Sequence, residues 1–338
     1  MTGVTLTDVA QRAGVSTPTA SRVLRGVATV DQQLKEKVLL AASELGYQPN
    51  RLARSLRERR TGIIGFLNVG STAKFHTVLA QGIYDAGLEN GYAVVTGMSD
   101  TTDRQQSYAQ IFAGFQVDGI IVVPTSQSDP AIDRIAKHIP VVEVDRSASS
   151  VSRHSVLLDN QHAMEMAVDH LVELGHRHIA LLYGVEQVNT ELERVEGYLC
   201  ALRKHGLPRR EALMLGDDFS EAGGMRSTAK LLDSGVPVTA VLTTTNEMLA
   251  GAVQVLRERE INVPEQLSLI GMDDTRWVRL MTPPVTVVEQ PAYDMGKKAM
   301  ELLLAAIDEK AGQHPAEIRF APRLIVRSST SPPPFDSL

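Results

Sequence analysis

From residue 62 onward, short apolar runs alternate with amphipathic stretches of helical spacing, and this alternation constrains the fold more than any other feature. The apolar runs are GIIGFLNV, AVVTGM, DGIIVVP, PVVEVD, HIALLYG, AVLTTTN, LSLIGMDD and TVVEQP. Helical patterns separate most of them, at 76–89, 104–116, 130–138, 161–174, 193–205, 222–233, 247–259 and 293–308. A strand that is apolar on both faces has to be covered on both, so the alternation predicts parallel sheets with helices on either side. A chain of 338 residues exceeds one ordinary core, and eight such strands divide better into two doubly wound subdomains than into one sheet. No apolar stretch approaches the roughly 18 residues a membrane span needs, so no membrane partner is expected. The N-terminus carries no basic-then-apolar leader, and the single cysteine, Cys200, leaves no internal disulfide; both point to a reducing cytoplasm.

Charge is divided unevenly. Residues 1–60 hold ten Lys/Arg against five Asp/Glu, whereas the remainder holds 24 against 35. A basic head on an acidic body suits a nucleic-acid-binding segment joined to a body with another task. Within the head, Leu6, Val9, Ala10 and Ala13 share one helical face. Thr5 is the candidate N-cap with Asp8 three residues on, and Gly14 the C-cap. Ser16 opens a second helix with Pro18 in its first turn and Ala20, Val23 and Leu24 inward. Leu34, Val38, Ala41, Ala42 and Leu45 give the inward face of a third. Two short helices about a glycine turn, followed by a third, describe a helix-turn-helix. In that motif the second helix presents Thr17, Pro18, Ser21 and Arg22 to the major groove, and Arg22 is the side chain able to grip a guanine edge with two bonds.

In doubly wound sheets, ligands sit beyond the carboxyl ends of the strands. The residues there are polar: Asn68, Asp100, Asp145, Arg146, Asp159, Asn246 and Asp273. Carboxylates and a guanidinium about a small cavity suit the paired hydroxyls of a sugar, while each residue alone reads equally well as a cap.

VTLTDVAQRAGVSTPTASRVLRG, followed by ELGYQPNRLARSL, resembles the head of the lactose-repressor/galactose-repressor (LacI/GalR) family. DGIIVVP, IPVVEVDR, HLVELGHRHIALL, RVEGY, TNEMLAGAVQVL, LSLIGMDDT and PPVTVVEQP extend the resemblance over the body. It implies a helix-turn-helix at 1–49, a hinge helix and linker at 50–61, and an effector-binding, dimerising core at 62–338. That core would be periplasmic-binding-protein-like, with an N-subdomain of 62–160 plus 291–320 and a C-subdomain of 161–290 plus 321–330. The DNA-facing set is then Thr5, Leu6, Ser16, Thr17, Pro18, Thr19, Ser21 and Arg22, with Asn50, Ala53 and Leu56 in the hinge. Leu56 stands where the family wedges a leucine between minor-groove bases. The effector set is Phe75, His76, Asp145, Arg146, Arg194, Phe219, Asn246 and Asp273, with Phe75 and Phe219 as ring-stacking walls and Arg194 opening its helix. The implied activity is that of a repressor, a homodimer on pseudo-palindromic operator DNA, governed by a carbohydrate-like effector.

Two departures from the family pattern matter. Ala73-Lys74-Phe75-His76 replaces a common Asn-Pro-Phe-Phe, and the polar Lys74 and His76 hint at a more polar, anionic ligand. Glu247 stands in place of a common Asp and puts a local hydrogen bond in doubt. Nucleophile-elbow, dinucleotide and Walker signatures are absent, so no enzyme is expected. His170, His176 and His178 lack a cysteine or carboxylate to complete a zinc site, and no metal or cofactor is expected. Asp217-Asp218 reads as a solvated loop. A transport binding protein would leave residues 1–57 without purpose; a regulator that answers to a phosphocarrier protein is the remaining alternative.

Overall fold

The computed structural model describes residues 4–24, 31–47, 60–70, 73–126, 128, 130–148, 153–185, 188–308 and 315–334. It divides into two compact units, Met1–Thr61 and Gly62–Leu338.

In the first unit, helix α1 (Leu6–Ala13) starts at Thr5, whose hydroxyl accepts the Asp8 N–H while the Asp8 carboxylate accepts the Thr5 N–H at 2.8 Å. Two N–H groups that the first turn cannot satisfy are thereby paired. Gly14, at φ +67°, closes the helix in a left-handed conformation that a side chain would oppose. The Ser16 hydroxyl accepts the Thr19 N–H and opens α2 (Thr17–Leu24), with Pro18 in the first turn where no donor is needed. Asp31 caps α3 (Gln32–Glu44) through the N–H groups of Gln33 and Leu34. Val9, Ala10, Ala20, Val23, Val38, Ala41 and Ala42 form the buried centre. Leu34, expected inward, is only half-buried and stands outside this cluster. The hinge candidates Asn50, Ala53 and Leu56 lie outside the described residues.

The second unit holds two six-stranded sheets. The first comprises β1 (Ile63–Asn68), β2 (Ala93–Met98), β3 (Gly119–Val122), β4 (Val141–Val144), β5 (His154–Leu158) and β11 (Glu317–Phe320), ordered β11-β5-β4-β3-β1-β2 and parallel throughout. The second comprises β6 (Ile179–Tyr183), β7 (Met214–Gly216), β8 (Ala240–Thr243), β9 (Ser268–Met272), β10 (Thr286–Glu289) and β12 (Arg323–Ile325), ordered β12-β10-β9-β8-β6-β7. Only β12 runs antiparallel, against β10. The first five strands of each sheet follow one winding, so β1 corresponds to β6 and β4 to β9. The chain passes between the sheets after β5, after β10 and between β11 and β12.

All eight apolar runs form strands, as the alternation predicts. The additional four are β5, β7, β11 and β12. Two of these have three residues, and β11 alternates polar with apolar at a sheet edge; short, polar edge strands resist pairing with other chains and leave little apolar signal. The covering helices are α4 (Lys74–Glu89), α5 (Thr102–Gly114), α6 (Pro130–Ile135), α7 (Asn160–Glu173), α8 (Asn189–Lys204), α9 (Glu221–Asp233), α10 (Asn246–Glu258), α11 (Arg276–Leu280) and α12 (Ala292–Asp308). Helix α12, though it follows a strand of the second sheet, packs on α4 of the first: Gly82 rests against the Tyr293 carbonyl and Gly296 against the Leu79 carbonyl, and a Cβ at either would strike backbone. One buried cluster runs from Ile64 and Phe66 through Leu158 and Leu181 to Ile270 and Met272, so apolar packing is continuous across both sheets.

Candidate functional site

A cavity of about 280 Å³ lies where the carboxyl ends of both sheets meet. Nearly every strand sends residues to it. Gly70, Phe75 and His76 follow β1, Asp100 follows β2, Thr125 follows β3, and Asp145 and Arg146 follow β4. From the other side come Thr190 and Arg194 of α8, Phe219 after β7, Thr244, Thr245 and Glu247 after β8, Asp273 after β9 and Gln290 after β10.

Asp145 and Asp273 occupy corresponding places in the two windings. Each follows the fourth strand of its sheet, each has φ +68°, and each donates its N–H at 2.9 Å to a neighbouring strand, Asp145 to the Val156 carbonyl and Asp273 to that of Val288. Left-handed backbone is uncommon for non-glycine residues, Asp and Asn being among those that adopt it most readily, and such strained positions concentrate at functional sites. Gln290 donates to the Asp273 carboxylate at 2.8 Å. Asp273 keeps part of its surface open to the cavity, yet the surrounding protein raises its carboxyl from 3.8 to about 6. Burial is the main cause, reinforced by Glu247 and Asp145 and opposed by Gln290 and Arg194. Burial likewise pushes the Glu247 carboxyl up.

His76 is buried in the first turn of α4, edge-on to Phe75 with ring centres 5.2 Å apart. Burial lowers its pKa to about 4, against the pull of Asp145 and with help from Arg146, so the ring is neutral near pH 7. The Arg146 guanidinium lies over the Phe219 ring at 5.9 Å, and its Nε sits 3.4 Å from Asp145 Oδ2 without the geometry of a hydrogen bond. Arg194 is buried and firmly held. Its Nε donates to Asn160 Oδ1 at 2.9 Å, and its Nη1 to the Thr244 carbonyl at 2.8 Å and Glu191 Oε1 at 3.1 Å. His76 Nδ1, Arg146 Nε and Gln290 Oε1 are buried and have no hydrogen-bond partner among the described residues. An unpartnered buried polar atom is costly, and three around one cavity fit a ligand that completes them.

Seven of the eight expected effector residues come together here. Asn246 does not line the cavity: its amide donates to the Met272 carbonyl and Thr275, and its Oδ1 accepts from Trp277 Nε1, leaving Thr245 and Glu247 on the wall. Arg194 lies in the second turn of α8 instead of opening it, because the helix starts at Asn189. Lys74 is exposed and off the cavity wall, and His76 is held neutral, so the hint of an anionic ligand loses both supports. Asp159 is a helix cap, accepting the His162 N–H at 3.0 Å, and Asn68 turns back on the Val69 N–H. His170, His176 and His178 bond to Thr330, to Thr239 and the Ser331 carbonyl, and to Arg210 respectively; no metal-binding group occurs among the described residues. Asp217 and Asp218 hold Arg226. In the head, Pro18 and Arg22 are exposed, Thr17 and Ser21 are half-buried, and Leu6 packs partly on the head's core.

The model of the lacI family of bacterial regulatory proteins matches residues 5–50, and that of the periplasmic binding protein-like domain matches 168–330. Over 94% of its length the chain is 34% identical to the catabolite control protein A of Priestia megaterium, covering 98% of that protein. The chain belongs to the lacI family of bacterial regulatory proteins. It is also 34% identical to the HTH-type transcriptional repressor PurR of Erwinia tasmaniensis over 98% of both chains. The Lac repressor dimer bound to operator and the anti-inducer ONPF matches at TM-score 0.85 and 26% identity, covering 98% of this chain and all of that one. The complex of the transcriptional regulator CelR with cellobiose matches at TM-score 0.75 and 29% identity, over 96% and 99% of the two chains. As a lacI-family regulator, the chain binds DNA and controls transcription.

Within this lacI-family core the residues that sequence reasoning missed are mostly those behind the wall. Glu191, fully buried, and Asn160 fix Arg194, while Gln290 fixes Asp273. A signal for Glu191 existed, since a glutamate three residues before an arginine on one helix lies on the same face. Asn160 is far away in sequence and left none.

Proposed function

We propose that the chain is a cytoplasmic, homodimeric repressor without enzymatic activity, whose grip on a pseudo-palindromic operator is governed by a carbohydrate in the cavity. The division of labour follows residues 1–49 for the DNA head, 50–61 for the hinge and 62–338 for the core. The observation that carries the effector reading is the cavity itself. Two phenylalanine faces, two arginines, several carboxylates and three unpartnered polar atoms converge from strand ends of both sheets. Ring faces and converging donors and acceptors are what a sugar's CH faces and hydroxyls require. The relatives support the same class, since one is a cellobiose complex and another lacI-family structure holds ribose.

The dimer follows from the head, because one helix-turn-helix reads half of a two-fold site. Sedimentation of the full chain is expected to show a dimer; a stable monomer at micromolar concentration overturns this. Binding-site selection from random duplexes, followed by release with a panel of sugars, tests the function. Failure to enrich any sequence would overturn the regulator reading, and an enriched site that no small sugar releases would redirect the effector to a protein partner.

A further inference from the structure

The cavity wall carries two guanidinium groups, and each is already matched by a carboxylate. Arg146 lies between the Asp145 carboxylate and the Phe219 ring. Arg194 is matched from behind by Glu191, which is fully buried and points away from solvent into the protein. Every partner of Glu191 is a donor. Oε1 accepts from Arg194 at 3.1 Å, and Oε2 accepts from the Gly184 N–H at 2.9 Å and the Thr244 hydroxyl at 2.7 Å. A carboxylate so surrounded is a counter-charge to the guanidinium, and its charge-assisted bonds also fix where the guanidinium points. On the cavity side, Asp273 and Glu247 remain, and neither is in an ion pair among the described residues. Burial raises both carboxyls, which is the cost of holding negative charge there.

The hydrogen-bonding sense agrees with the charge. Gln290 Oε1, unpartnered and buried, accepts only, as do the carboxylates of Asp145, Asp273 and Glu247. A hydroxyl can satisfy such acceptors because it donates, and can equally accept from Arg146 Nε or Arg194 Nη2, which no hydrogen bond among the described residues uses. A phosphate or carboxylate oxygen only accepts, and would share the cavity with the carboxylates of Asp145, Glu247 and Asp273.

We propose that Glu191 sets the charge class of the effector: by neutralising Arg194 from behind, it makes the cavity select an uncharged, hydroxyl-rich molecule and reject phosphorylated or carboxylated ones. This rests on the reading of the cavity as the effector site. Asn160 shares the positioning task through Arg194 Nε but adds no charge, so the selectivity belongs to Glu191.

The test compares the full-length protein with its Glu191→Gln variant, using inorganic phosphate and ribose 5-phosphate as anionic probes and ribose, glucose and cellobiose as uncharged ones. Trp277, the only tryptophan, is bonded to Asn246 between the wall residues Thr245 and Glu247 and serves as the fluorescence reporter. Glutamine keeps the shape and an acceptor oxygen while removing the charge. The wild type is expected to ignore both anions, and Glu191→Gln to bind them about ten- to a hundredfold more tightly than the wild type does. Equal anion affinity in the two proteins overturns the proposal. Ribose 5-phosphate binding to the wild type more tightly than ribose overturns it too, and needs no variant should Glu191→Gln fail to fold. If phosphate moves only the variant while no uncharged sugar moves either protein, the charge assignment stands and the carbohydrate reading of the cavity falls.

Discussion

At the scale of single residues, the pair Asp145 and Asp273 shows how backbone geometry prepares a site. Both take a left-handed turn at the end of corresponding strands and bring their carboxylates toward one cavity from opposite sheets. The Asp273 carboxyl, raised to about 6 against an ordinary 3.8, has a sign that can be followed. Between those values the folded chain holds the proton more tightly than the unfolded one, so this group's contribution to stability falls as pH rises from about 4 to 6 and is level above. Effector binding runs the other way. Protonation removes an acceptor, so affinity for an uncharged sugar is expected to drop between about pH 7.5 and 5.5. Asp273→Asn, which tolerates the same backbone, should flatten most of that dependence, and His76, neutral throughout, supplies none. An unchanged slope in Asp273→Asn would reassign the titration. In the head, Arg22→Ala should cost about 1–3 kcal/mol on the natural operator and almost nothing on random DNA, measured by competition binding, because base contacts discriminate while phosphate contacts do not. Residue identity was legible in the sequence where the strand end itself named the residue, as in VEVDR and IGMDD. It was not legible for Asn246, whose amide is claimed by Trp277 and Thr275, since no local pattern reveals which of three consecutive residues turns away from the cavity.

At the scale of elements, the head is held by caps as much as by its core. Its buried residues are largely alanine and valine, which bury little area each, so the reciprocal bonds between Thr5 and Asp8 matter in proportion. Thr5→Ala should destabilise α1 by about 0.5–2 kcal/mol, seen as faster hydrogen exchange in residues 6–13 of the full chain while α7 and α8 stay unchanged. Equal protection in both proteins would show the cap to be idle. Behind the cavity, Arg194→Ala would strand Glu191 as a buried, unpaired charge, and should cost the core about 3–5 kcal/mol in urea unfolding. Changing both residues to apolar ones should recover most of that loss. Elements with a strong period or a glycine stop were readable from sequence to within a few residues. Of the four strands that were not, β7, β11 and β12 owe their existence to a long-range partner already in place, and such dependence leaves no periodic mark.

At the scale of the molecule, three passages of chain between two sheets mean that the subdomains can shift relative to each other only as far as those passages allow. A ligand changes DNA affinity only by preferring one arrangement of the core over another. Phe219→Ala removes a ring face without stranding a charge. It should weaken the effector response at least tenfold, by about 1.4 kcal/mol or more of binding, while operator affinity without effector stays as it was. A loss of operator binding in the absence of effector would instead make Phe219 structural. The crossing strands also impose an order on synthesis. When the ribosome has finished the first five strands of the first sheet, β5 still waits with an open edge and α4 with an uncovered flank, and neither is closed until residues 292–320 appear. The second sheet waits slightly longer, for β12. A nascent chain is thus unfinished in both halves until residues 317–325 emerge, and a premature stop at 317 would strip one edge strand from each sheet at once. Neither half can be made alone by cutting the gene at a single point.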